Sequence, residues 1–316
     1  MKREHALNLW RKATGVVEEE LGQVEKALHG ALEDVRHIPV IDWLADSRGK
    51  QARGALALLS CGACGGFASN ALDVAVAVEL AHQATLLHDD VIDDAERRRG
   101  RESANARFGS KKAVVAGDFL LAKAMEIIVG AKNEELAAAF VQAGERTCLG
   151  ELEGNERKAE LELGAREYER IAEKKTGAFF SFACEGGAIA AGAGAVERTA
   201  VREFGVRAGI AFQLSDDALD YAGEGGEDAG RRVTMPFILA LQKAGAGGRK
   251  EVAREWAAGN ARAIAEFVVA NNGVAEALEL AAAHATAAKK SLGVLRSTHY
   301  RDALEAFCDW IVERKS

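Results

Sequence analysis

Apolar residues recur at helical spacing along almost the whole chain, and this pattern predicts an all-α protein. Residues from about 4 to 35 carry Leu7, Val17, Leu21, Val24 and Leu28 on one stripe. A polar junction, Ser47-Arg48-Gly49-Lys50, leads into an apolar helix at 53–60. From Asn70 a further helix runs through Val74, Val78, Leu80 and Leu87 into an acidic cluster at 89–94. Basic residues and glycine at 97–101 predict a loop. Helical spacing then covers about 111–130, 133–154, 166–192, 197–221, 234–244, 249–270, 273–291 and 300–314. Residues 222–230, with four glycines in nine, read as a polar lid loop. Neither a linker nor a fixed-period repeat divides the chain, so residues 1–316 are expected to form one domain.

Composition sharpens this picture. Only Pro39 and Pro236 interrupt the chain, where average usage of about 5% would give roughly sixteen prolines. That scarcity suits long helices and argues against β-sandwiches and proline-rich disorder. The balance of 41 basic and 48 acidic residues, net −7, points away from nucleic acid and anionic membranes. Five irregularly spaced cysteines form no disulfide framework, which suggests a cytoplasmic protein. The N-terminus lacks a signal-peptide pattern. The longest uncharged stretch, Gly54 to Leu72, holds four glycines, Ser60, Ser69 and Asn70, so it reads as a buried helix with a turn and not as a membrane span.

The candidate chemistry lies in a pattern that occurs twice: Asp89-Asp90-Val91-Ile92-Asp93 and Asp216-Asp217-Ala218-Leu219-Asp220. On a helix, positions i and i+4 stand about 40° apart, so the outer aspartates of each cluster share a face. A lone DDxxD reads as a solvated helix face. Here each copy ends an apolar run, and neighbouring carboxylates in such surroundings resist ionisation unless a cation joins them. All-oxygen ligands suit Mg²⁺, which commonly links carboxylates to phosphates. Four arginines in Arg97-Arg98-Arg99-Gly100-Arg101 supply counter-charge for a diphosphate beside such a site.

Two further motifs carry less. Cys61-Gly62-Ala63-Cys64 lacks a second pair and reads as small-residue helix packing; Glu79-Leu80-Ala81-His82 lacks the second copy that a di-iron bundle needs.

Together, Leu86-Leu87-His88-Asp89-Asp90-Val91-Ile92-Asp93-Asp94, Arg98-Arg99-Gly100, Gly117-Asp118-Phe119-Leu120-Leu121 and Phe212-Gln213-Leu214-Ser215-Asp216-Asp217-Ala218-Leu219-Asp220-Tyr221 resemble the trans-polyprenyl diphosphate synthases. Gly49-Lys50 with Arg53, and Lys175-Thr176-Gly177, resemble that family's other basic motifs. The resemblance implies an isoprenoid-synthase fold of helices around a deep central cavity, usually as a homodimer. It implies head-to-tail joining of isopentenyl diphosphate to an allylic diphosphate. Asp89, Asp90, Asp93, Asp216, Asp217 and Asp220 would hold up to three Mg²⁺ ions on the allylic diphosphate. Arg98, Lys175, Thr176 and Gln213 would contact that group, and Lys50, Arg53, His82 and Arg99 the isopentenyl diphosphate. Small residues at Ala84 and Thr85, where aromatics stop short products, imply a product beyond farnesyl.

The chain departs from the family pattern in three places. Arg101-Glu102-Ser103 stands where a Pro-Thr pair is usual, and Gly154 where glutamine is usual. The segment after Tyr221 is shortened, with Arg231 or Arg232 left to supply a missing cation. The competing readings are a short-chain farnesyl or geranylgeranyl synthase, a terpene cyclase, and a non-catalytic subunit of a heteromeric synthase. A cyclase would show (N/D)DxxSxxxE at the second cluster, and this chain does not.

Overall fold

The computed structural model describes residues 2–45, 49–67, 69–98, 100–221 and 232–313. The helices are α1 (Lys2–Thr14), α2 (Glu18–Gly30), α3 (Pro39–Ala45), α4 (Ala52–Ala63), α5 (Ser69–Ile92), α6 (Ala104–Phe108), α7 (Ser110–Gly130) and α8 (Glu134–Arg157). They continue with α9 (Ala165–Ala172), α10 (Ala178–Ala190), α11 (Ala195–Asp220), α12 (Met235–Lys243), α13 (Ala246–Ala257), α14 (Ala261–Ala270), α15 (Gly273–Ser291) and α16 (His299–Glu313). Among the described residues no helix is long and apolar enough to cross a membrane.

Helices α4, α5 and α10 form the inner layer because they are apolar on most sides, and α11 joins them through the face that buries Phe204, Ala208, Ala211 and Leu214. Residues 54–63 of α4 are all buried, and α10 buries Phe179, Phe180, Phe182 and Ile189. The remaining helices surround them with one apolar face inward, α7 against α5 and α15 against α11. Glycines let the inner helices meet backbone to backbone. A Cβ at Gly187 of α10 would overlap the Ala57 carbonyl of α4, and one at Gly205 of α11 would stand 2.6 Å from the Phe180 carbonyl oxygen. Close backbone contact of this kind holds the helix ends, and what they carry, in fixed register.

The structure departs from the sequence expectations locally. The opening segment is broken by a 3₁₀ turn at Gly15–Val17 and ends at Gly30. The stretch at 249–270 is two helices, because Gly259 turns left-handed (φ 68°) and Asn260 caps α14 through its side chain. Short α3 and α6 escaped the periodicity argument, being only seven and five residues long. Residues 97–102 contain an antiparallel hairpin, Arg97–Arg98 against Arg101–Glu102, where a plain loop is predicted. The candidate lid at 222–230 lies outside the described residues.

Candidate active site

Both aspartate clusters sit at helix C-termini, the first on the last turn of α5 and the second on that of α11. A helix C-terminus is the negative end of its macrodipole, so carboxylates there add to an already negative potential. Burial pushes the Asp89 carboxyl above its ordinary value; Lys175 and Arg98 act against this, and Glu151 and Asp90 reinforce it. The protein supplies part of the counter-charge. Arg98, from the hairpin, donates through Nε to Asp90 at 2.6 Å, and Asp90 is 3% exposed. Arg232 pairs with Asp93 and lies close enough to Asp89 to feel its charge. Of the two arginines expected to replace a missing cation, Arg232 is the one paired with Asp93; Arg231 lies outside the described residues, as does Arg99.

The second cluster is wired differently. Asp217 is 3% exposed and accepts from Tyr168 at 2.6 Å and from Gln213 Nε2 at 2.9 Å. Gln213 in turn accepts from the Thr176 hydroxyl at 2.6 Å. Burial pushes the Asp217 carboxyl up to about 7 despite these two hydrogen bonds, helped by the negative charge of Asp220 and Asp216. The outer aspartates are more open, Asp216 half-buried and Asp220 exposed.

Between the clusters runs a single π-helical turn, Glu173–Gly177, inserted between α9 and α10. Sequence periodicity predicts one unbroken helix at 166–192; the wider turn replaces it where the chain reaches the site. Lys175 pairs with Glu151 and acts on Asp89, whereas Thr176 binds Gln213. One turn therefore touches both aspartate regions. Gly150 of α8 makes room for it, since a Cβ there would stand 2.8 Å from the Lys174 carbonyl carbon. A Cβ at Gly154 would stand 3.2 Å from the Ile171 side chain, so the glycine found where glutamine is usual lets α8 close on α9.

The basic residues at the start of α4 form a separate group. Glu79 of α5 accepts from the backbone N–H groups of Arg53 (3.0 Å) and Gly54 (2.8 Å), fixing that helix end. Arg53 lies over the Phe180 ring at 4.9 Å and Lys50 over Trp310 at 5.1 Å. His82 is half-buried on α5, and its carbonyl accepts the Thr85 hydroxyl. Ala84 is buried one turn before Asp89. Both motifs set aside above have structural roles: Glu79 is a helix cap, and Cys61 and Cys64 are free thiols, Cys61 buried and Cys64 raised to about 12 chiefly by burial.

Sequence reasoning missed Tyr168, which lies 49 residues before its partner Asp217 in a segment with no recognisable motif. It also missed Glu151 as the partner of Lys175. Three of the six aspartates expected as metal ligands meet other side chains of the protein. Among the described residues no group of three or more Asp, Glu, His or Cys side chains is arranged to hold a metal ion. Asp90 and Asp93 are turned towards arginines and Asp217 towards Tyr168 and Gln213. The donor chemistry nevertheless fits a hard divalent cation, because burial holds the half-buried Asp89 and the buried Asp217 carboxyls above their ordinary values, a penalty that a bound cation would offset.

One pH effect follows. In metal-free protein the folded state keeps a proton on Asp217 at pH values where the unfolded chain, at about 3.8, has lost it. Folded protein then binds more protons, so stability falls as pH rises from about 4 to 7. Thermal denaturation in EDTA should show wild type losing ground to Asp217→Asn across that range. A pH-independent difference between the two would mean that Asp217 is ionised throughout.

Known proteins are similar along most of the chain. The polyprenyl synthetase family model matches residues 38–267. A short chain isoprenyl diphosphate synthase from Methanothermobacter thermautotrophicus is 32% identical, covering 86% of this chain and 88% of its own length. Component 2 of the heptaprenyl diphosphate synthase of Bacillus subtilis is 29% identical, covering 100% and 92%. A polyprenyl synthase from Caulobacter crescentus, solved with calcium and isoprenyl diphosphate, superposes with a TM-score of 0.91 at 29% identity, over 97% of this chain and 98% of that one. With two aspartate clusters at helix ends, a basic turn between them and these similarities, the chain belongs to the polyprenyl synthetase family of prenyltransferases and has the isoprenoid-synthase fold.

Proposed function

We propose that this chain condenses isopentenyl diphosphate head to tail with an allylic diphosphate, giving a trans-polyprenyl diphosphate longer than farnesyl. The observation that carries the reading is the π-turn, which contacts the surroundings of both aspartate clusters at once. Arg98, Lys175, Thr176 and Gln213 bind the allylic diphosphate and hold it against Asp89, Asp90, Asp93, Asp216, Asp217 and Asp220. Those six carboxylates would hold Mg²⁺, which when bound would neutralise charge developing on the leaving diphosphate. Arg98 and Arg232, paired here with Asp90 and Asp93, would have to release those carboxylates for the metal. Lys50, Arg53, His82 and Arg99 orient the isopentenyl diphosphate so that its double bond faces the allylic carbon. The apolar helices beneath the clusters exclude water from the allylic cation. The diphosphate released in the first step accepts the proton lost in the second.

The test is incubation of the purified chain alone with isopentenyl diphosphate, an allylic primer and Mg²⁺, followed by product analysis. A linear prenyl diphosphate supports the reading. A cyclic hydrocarbon, or no product, contradicts it. The relative named as one component of a heptaprenyl synthase favours a second reading, in which this chain acts only with a partner. Silence of the chain alone, with activity restored by such a partner, would establish that.

Product length rests on Ala84 and Thr85, both small and one turn below Asp89. Of the large residues considered as a floor further down, Met125 is 43% exposed on α7 and faces away from the interior, whereas Phe140 and Phe180 are buried. Ala84→Phe should shift products towards farnesyl or geranylgeranyl diphosphate. An unchanged distribution would remove Ala84 from the channel wall.

The chain is proposed to act as a cytoplasmic homodimer of single-domain subunits. Seven exposed large apolar residues cluster on α7 and α8, among them Val115, Val129, Val141 and Leu152, which supports self-association through this face. Light scattering should give twice 33.6 kDa, and charge placed at Val129 and Leu152 together should halve that mass. None of the five cysteines is in a disulfide, which favours a reducing compartment.

A further inference from the structure

A second cavity, of about 840 Å³, lies between α8, α9, α10, α11 and α15 on the far side of the π-turn from the aspartates. Its volume is within the range of small-molecule sites, roughly 300–1,000 Å³. Six arginines and five glutamates line it, in a chain whose overall charge is −7. Four of the arginines are committed to glutamates within the cavity, for example Arg146 to Glu173 at 2.5 Å. Arg166 and Arg170 are not. They stand one turn apart on α9, are exposed to the cavity, and have no carboxylate partner among the described residues. His284 of α15 is 6% exposed; its Nε2 lies 3.5 Å from Glu169, which stands between the two arginines on α9, and its Nδ1 is buried without a hydrogen-bond partner. Beside these polar groups, Phe182, Ile189, Val206 and Ile210 give the wall an apolar strip.

We propose that this cavity binds an organic phosphate carrying a di- or triphosphate chain, and that the ligand regulates the enzyme. Two adjacent guanidinium forks without carboxylate partners suit phosphate oxygens, and the apolar strip accommodates an organic body. The route to the active site is short. Glu173, paired with Arg146 in the cavity wall, is the first residue of the turn that presents Lys175 and Thr176 on its other side. An anion that draws Arg146 away from Glu173 changes the restraint on that turn.

Titration calorimetry of the full chain in EDTA, with adenosine diphosphate and with inorganic diphosphate as probes, tests the proposal. At least one probe should bind, and Arg166→Glu/Arg170→Glu should weaken it tenfold or more with turnover in the absence of the probe unchanged. Tighter binding of adenosine diphosphate would show that the organic body is recognised. Equal binding would identify the phosphate chain alone as the recognised group. If the charge-reversed chain does not fold, Arg166→Gln/Arg170→Gln provides the same comparison. Saturating probe should also change kcat/KM for the allylic substrate about fivefold in wild type and not in the variant. Absence of binding, or equal binding by wild type and variant, would overturn the site. Binding without a kinetic change would overturn its regulatory role.

Discussion

Asp89→Ala and Asp216→Ala should each lower turnover by about three orders of magnitude or more, without loss of the fold. The size of the effect follows from the proposed role: groups that organise charge at a leaving group typically contribute about a hundredfold to a thousandfold each, and in the proposed mechanism they would act through shared metal ions. The intact fold follows from the electrostatics. Burial holds the Asp89 carboxyl above its ordinary value, so in metal-free protein it strains its surroundings. Removing it should leave the melting temperature in EDTA equal or higher. Steady-state kinetics with both substrates, paired with that melting curve, checks both halves. Turnover close to wild type in either variant would sink the assignment. A large fall in melting temperature would give the aspartate a structural role instead.

The second large effect concerns the scaffold. Gly187→Ala should destabilise the protein by roughly 2–3 kcal/mol, although alanine in a helix interior is favoured over glycine by about 1 kcal/mol. The opposing effect is larger because the added Cβ overlaps the Ala57 carbonyl and also stands 3.1 Å from the Cys61 amide nitrogen. Backbone blocks it at both points, and no side chain can retreat. Gly144→Ala on α8 is the control, since nothing lies within 4 Å of its added Cβ; it should be neutral or stabilising. Urea denaturation of the two variants beside wild type makes the comparison. If Gly187→Ala is as stable as wild type, α4 and α10 are less rigidly apposed than described.

The features legible in the sequence were those with strong period or strong charge. α5, α7, α11 and α15 emerge close to their observed limits because each sustains its apolar spacing for nineteen residues or more. Asp89, Asp90, Asp93, Asp216, Asp217 and Asp220 stand out because carboxylates at the end of an apolar run are hard to explain otherwise. Two kinds of feature stayed hidden. A break as small as Gly259 does not disturb helical spacing enough to divide 249–270. Partners brought together only by folding, such as Tyr168 with Asp217 or Arg232 with Asp93, leave no local signature. Nor does spacing tell which aspartates the protein's own arginines hold, Asp90 by Arg98 and Asp93 by Arg232.

The π-turn has a consequence for what the chain can lose. It accommodates one residue more than an α-helix would over the same rise, so α9 and α10 are offset in phase by about 100°. A one-residue deletion within 173–177 would let the segment relax into continuous α-helix. Helix α10, clamped by its glycine contacts with α4 and α11, would stay in place. Helix α9 would absorb the rotation, swinging Tyr168 away from Asp217 and Arg166 and Arg170 away from their cavity. Deletion at this point would spare the architecture and erase the chemistry, whereas most single-residue deletions inside a buried helix shift the apolar face and threaten the fold itself.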